Sequence, residues 1–116
     1  MMKTKLFLML LGLTMSQFSY ASSVERSSKG VIKNLISYAD YGNGDVFISL
    51  PTNGATCSYG YYVNKNSAGF QANLSMLLAA YHSQTPVYIH GFTAESKRWT
   101  GSKNPVCEVY SVQFER

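Results

Sequence analysis

The apolar residues of this chain change their period once and then change back. From Phe70 they fall at Phe70, Leu74, Leu77, Leu78 and Tyr81, the spacing of one face of a helix. On both sides of that stretch the pattern is short and alternating, with Val, Ile, Tyr and Phe between turn residues, as in strands. Three strands are predicted before the helix, over Gly30–Tyr38, Asp45–Leu50 and Thr56–Val63. Two follow it, over Pro86–Phe92 and Pro105–Phe114. The fold class is mainly β with one helix, in the order β-β-β-α-β-β. That order is the signature of the OB-fold, a five-stranded Greek-key barrel with its helix between strands three and four. An open antiparallel sheet with one helix packed across it is the alternative.

The turns reinforce this division. Asp40-Tyr41-Gly42-Asn43-Gly44-Asp45 reverses the first hairpin, and Pro51-Thr52-Asn53-Gly54 ends the second strand. In the third strand Cys57, Tyr59 and Tyr61 alternate with Ser58, Gly60 and Tyr62. Asn66 or Ser67 can cap the helix, and Gln84-Thr85-Pro86 ends it. A polar loop, Thr93–Asn104, carries Trp99 and Gly101. In the last strand Val106, Tyr110, Val112 and Phe114 are assigned to one face, with Glu108 as its polar exception, and Cys107, Val109, Ser111 and Gln113 to the other. Residues Ser22–Ser28 read as a flexible tail.

The compartment follows from the first residues. Lys3 and Lys5 precede an apolar stretch from Leu6 to Met15, and Ser19-Tyr20-Ala21 supplies the small residues a signal peptidase accepts. Residues 1–21 are therefore assigned to a signal peptide and 22–116 to one domain, secreted or periplasmic. The apolar stretch is too short for a membrane span. Losing the two leader lysines leaves eight basic residues against six acids, a formal charge of +2. So small an excess does not point to nucleic acid. Cys57 and Cys107 are the only cysteines, and in an oxidising compartment the simplest inference is one bond between them. In the chain-entropy model that bond contributes roughly 4 kcal/mol.

Nothing in the chain assembles catalytic machinery. His82 and His90 have no metal-binding spacing, no metal site or cofactor is indicated, and there is no nucleophile elbow or phosphate loop. A carboxylate pair for glycoside hydrolysis is the one enzymatic alternative that chain order leaves open. Aromatic residues point instead to recognition. A Tyr or Trp offers an apolar face and a hydrogen-bonding tip, suited to a sugar ring. Tyr59, Tyr61 and Trp99 are the candidates, although tyrosines are also ordinary strand residues.

The segment from Phe70 to Gly91, FQANLSMLLAAYHSQTPVYIHG, together with Lys29-Gly30-Val31-Ile32 and Cys57, resembles the subtilase cytotoxin B subunit family. The resemblance covers about two-thirds of residues 22–116 and is diffuse. It implies an OB-fold lectin subunit that forms a homopentamer with its helices around a pore. Such a ring binds sialylated cell-surface glycans and carries a catalytic A subunit. The family's glycan pocket uses a Ser immediately before the Gly of the first strand; here that position is Lys29, with Ser28 one residue earlier. The glycan-binding set expected on these grounds is Ser28, Lys29, Tyr59, Tyr61 and Trp99. A monomeric periplasmic OB-fold module binding a protein or small ligand is the alternative function.

Overall fold

The computed structural model describes residues 23–116, so the assigned signal peptide lies outside the described residues. The fold is mainly β with one helix. Its strands are β1 (Val24–Arg26), β2 (Asn34–Ser37), β3 (Val46–Ser49), β4 (Gly60–Val63), β5 (Tyr88–Phe92) and β6 (Val106–Gln113), with α1 (Phe70–Ser83) between β4 and β5. They form an open six-stranded sheet in the order β1-β5-β6-β4-β3-β2. Only β4 and β6 run parallel; the other neighbours are antiparallel.

The sixth strand is β1, which comes from the segment read as a flexible tail. It pairs with β5 through Val24↔Phe92, Glu25↔Gly91 and Arg26↔His90. Its composition is polar because its order comes from a half-buried carboxylate anchor rather than from apolar alternation. The Glu25 carboxylate accepts the backbone N–H groups of Thr56 (2.9 Å) and Cys57 (2.9 Å). Pairing continues past β1. Ser27 N–H donates to Ile89 O (2.9 Å), Gly30 exchanges two backbone bonds with Val87, and Lys33 N–H donates to Ser49 O on β3 (2.8 Å). One stretch of chain thus leaves the edge of β5 and joins the edge of β3.

The first long strand is correspondingly shorter than expected, and so is the third. Cys57 lies in the bend before β4 and not on a strand, yet it is fully buried because it is bonded to Cys107 of β6. Neither Asn66 nor Ser67 caps the helix with its side chain. Gly69 is the capping residue, and the Ser67 carbonyl accepts the Phe70 N–H. At the other end Gln84 adopts the left-handed conformation (φ 57°), and Thr85 N–H closes onto Ala80 O.

The main core lies between α1 and the sheet. Ile48, Val63, Tyr61, Ile89 and the disulfide fill it, with Leu77 and Ala80 from the helix and Phe70 and Leu74 beside them. Of the expected helical face, Leu78 and Tyr81 stand outside, 52 % and 48 % exposed. The stripe that packs runs through Leu74, Leu77 and Ala80, rotated away from that pair.

On β6 the expected division of faces also changes. Cys107, Val109 and Val112 all join the core while Tyr110 is exposed. The cause is a bulge: His90 pairs with Ser111 but Gly91 pairs with Val109, so Tyr110 is the unpaired residue. One extra residue reverses the alternation beyond it.

Candidate functional site

A second, smaller cluster lies apart from the main core and is built around Trp99. The indole is 5 % exposed and packs with Tyr62 and Val106, against Tyr38 and Phe47. Phe47 and Tyr62 stack on it at 5.8 and 5.9 Å between centroids, near-parallel at 22° and 21°. Tyr41 meets it edge-on at 5.8 Å. Each of these contacts adds specific ring–ring attraction to the area buried.

Two loops hold the indole. The loop between β2 and β3 turns tightly, with Gly42, Asn43 and Gly44 at φ 60°, 66° and 75°. The Trp99 Nε1–H donates to Gly42 O at 3.1 Å. A side chain on Gly42 would put its Cβ 2.3 Å from the indole, so glycine is needed there for contact as well as for its backbone angle. Gly101 closes the other side, where a Cβ would fall 2.7 Å from the ring. The loop between β5 and β6 is tied to the sheet by Trp99 N–H to Val106 O (3.0 Å) and by Tyr62 O–H to Lys97 O (2.9 Å). The Tyr41 hydroxyl donates to Gly101 O, linking the two loops.

Between these loops runs a shallow groove of about 200 Å³. Trp99, Phe47 and Val106 form its floor, and Tyr41, Tyr59 and Ile36 its rim. Tyr41 is 57 % and Tyr59 53 % exposed. The lining carries no charged side chain; Ser102 and the tyrosine hydroxyls are its polar groups. Beneath the groove, burial and then the charges of Glu108 and Asp45 push the Tyr62 phenol well above its ordinary range, so it stays protonated and donates. Glu108, the polar exception on β6, is buried and lies 3.8 Å from Lys97 Nζ.

The five residues expected to bind glycan are not brought together. Tyr59 and Trp99 share the groove, Trp99 as floor rather than as an exposed platform. Tyr61 points the other way. It is fully buried in the main core, its hydroxyl accepts Gly54 N–H (3.0 Å), and burial pushes its phenol up. Lys29 lines a separate cavity of about 420 Å³ with Phe114, Pro86 and Ala79, and its Nζ donates to Glu115 O at 2.8 Å. Ser28 is exposed beside it in sequence. Tyr41 is the residue that sequence reading missed, because its turn cluster gives no sign of an aromatic rim. The available signal was Tyr38-x-x-Tyr41 before two glycines.

Among the described residues, no group of three or more His, Cys, Asp or Glu is placed to hold a metal ion. No helix among them is long and apolar enough to cross a membrane. No family model, curated protein or solved structure matches the chain.

Proposed function

We propose that this chain is an exported, secreted or periplasmic, glycan-binding module of OB-fold type, and that Tyr41 and Tyr59 present their rings to a sugar. The observation that carries this reading is a pair of half-exposed tyrosines on the rim of an uncharged groove floored by Trp99. A tyrosine ring meets the apolar face of a sugar while neighbouring hydroxyls exchange hydrogen bonds. The groove's position supports the same reading. OB-folds bind oligosaccharides on the face of their second and third strands, between the loops after strands one and four. Here Phe47 and Tyr62 come from β3 and β4, and the flanking loops follow β2 and β5. The barrel reading itself is supported by residues 27–33, which hydrogen-bond to β5 and then to β3.

The uncharged lining favours a neutral sugar. To the sialylated ligand implied by the resemblance the groove offers hydroxyls but no cation, and Lys29 lies in the other cavity. Assembly into a ring of five, with a catalytic A subunit as partner, belongs to the same proposal. It is supported by Leu78 and Tyr81, which α1 leaves in solvent.

The test is an array of neutral and sialylated oligosaccharides, followed by titration with the best binder. Tyr41→Ala and Tyr59→Ala should each weaken binding by about tenfold, about 1.4 kcal/mol and within the range of one aromatic contact. Unchanged binding by both variants would refute the site. The native mass by light scattering decides the assembly: five copies favour the toxin-like ring, and one copy favours a monomeric module that binds a protein or small ligand.

A further inference from the structure

The outer surface of β1, β5 and β6 is a second place where aromatic rings and unpaired charge meet. Strand alternation sends Val87, Ile89 and Gly91 inward, where the first two are core residues and Gly91 abuts Tyr61. Tyr88, His90 and Phe92 therefore face outward. Register places Arg26 of β1 beside His90 on one flank and Ser111 of β6 on the other. Next to inward-facing Val109, exposed Tyr110 lies on this same face at the β6 bulge, edge-on to Phe92 at 5.2 Å.

Three cations lie over this row. The Arg26 guanidinium sits 4.3 Å from the centre of the Tyr88 ring, and Lys29 Nζ lies 5.9 Å from the same ring. Lys97 Nζ lies 4.7 Å from the Phe92 ring. Of the three, only Lys97 has a salt-bridge partner among the described residues, Glu108 at 3.8 Å, while Lys29 Nζ is bonded to the uncharged carbonyl of Glu115. Cation–π contact orients Arg26 and Lys29 without neutralising them.

We propose that this face binds a sulfated polysaccharide, independently of the aromatic groove. Tyr88 and Phe92 are four residues apart on one strand, roughly 13 Å of extended backbone, so the cations over them stand at opposite ends of the row. A single small anion cannot reach both, whereas a charged polymer can. The choice among polymers follows from the rings. Single-stranded nucleic acid binds by stacking bases on open aromatic faces. Here the Tyr88 and Phe92 faces are already covered by Arg26 and Lys97, and Tyr110, the open ring of this face, stands edge-on to Phe92, so charge rather than a row of stacking platforms meets the ligand. Dense sulfate groups on a sugar backbone fit that demand. Guanidinium and ammonium groups pair with such oxygens through charge-assisted hydrogen bonds.

The experiment measures binding of heparin and of a 25-residue oligothymidylate to the wild-type protein across a salt series. Heparin should bind with a strong salt dependence and the oligothymidylate at least tenfold more weakly. Arg26→Gln/Lys29→Gln should reduce heparin affinity at least tenfold and flatten the slope of log affinity against log salt by about two, as contacts to a polyanion predict. Lys33→Gln/Lys65→Gln removes equal charge elsewhere on the exposed surface and should cost less than twofold. Melting temperatures of both variants confirm that they fold. Equal losses in the two double variants would reduce the effect to net charge and overturn the proposal. Equal or tighter binding of the oligothymidylate would replace the polysaccharide with nucleic acid, and absent heparin binding would end it.

Discussion

β4 contributes neighbouring tyrosines to two different interiors. Tyr61 is fully buried among the aliphatic residues under α1, against the disulfide, while Tyr62 stacks on Trp99 in the cluster beneath the groove. The first interior is closed by a helix and a covalent bond. The second is closed by two loops and one indole, and its rim remains open. Strand alternation alone sorts the two rings, so one element serves the main core on one face and, in the proposed reading, recognition on the other. Large aromatic area thus has two uses here, and burial separates them better than residue type does.

Breaking the closed side should have the largest effect. Cys57→Ser removes the cross-link and should lower stability by roughly 4 kcal/mol. Urea unfolding with and without reductant checks this; an unchanged midpoint under reduction would remove the disulfide from the account. On the open side, Trp99→Ala should cost about 3 kcal/mol, the low end for a large buried aromatic, because the groove lets solvent fill part of the space. Tyr59→Ala in the same titration should stay within about 0.5 kcal/mol. If Trp99→Ala proved as harmless as Tyr59→Ala, the second cluster would be a surface feature and not an interior.

The smallest effect is electrostatic. Partial burial, and then the nearby Arg26 charge, hold the His90 imidazole below its ordinary range. The unfolded chain therefore takes up a proton near pH 6.5, while the folded chain resists until lower pH. Its contribution is fully present above about pH 6.5 and declines as pH falls through that value toward the folded pKa. Urea midpoints at about pH 8 and pH 5.5 should fall less for His90→Gln than for the wild type; equal slopes would assign the pH dependence to other groups.

Much of this fold was legible where the chain obeys one period at a time. The helix from Phe70 and the strands β3 and β5 follow directly from spacing. The failures share a cause. Cys57, whose expected bond to Cys107 is present, sits in a bend and not on a strand, Val112 is turned inward by a bulge, and β1 is held through the Glu25 carboxylate on the N–H groups of Thr56 and Cys57. Each depends on a partner far along the chain, which local alternation does not encode. At the groove, Tyr59 and Trp99 were visible as candidates. Tyr61 differs from Tyr62 only in parity, and Tyr41 was hidden in a segment whose glycines already explained it.

The position of Trp99 also gives the molecule a built-in optical probe. It is the only tryptophan in the chain, it is shielded from solvent, and its Nε1–H is already bonded to a carbonyl of the rim loop. Its emission therefore comes from a single known environment, the floor of the groove. A ligand that settles between Tyr41 and Tyr59 alters that environment directly, so occupancy becomes readable as a change in intensity or wavelength without any attached label.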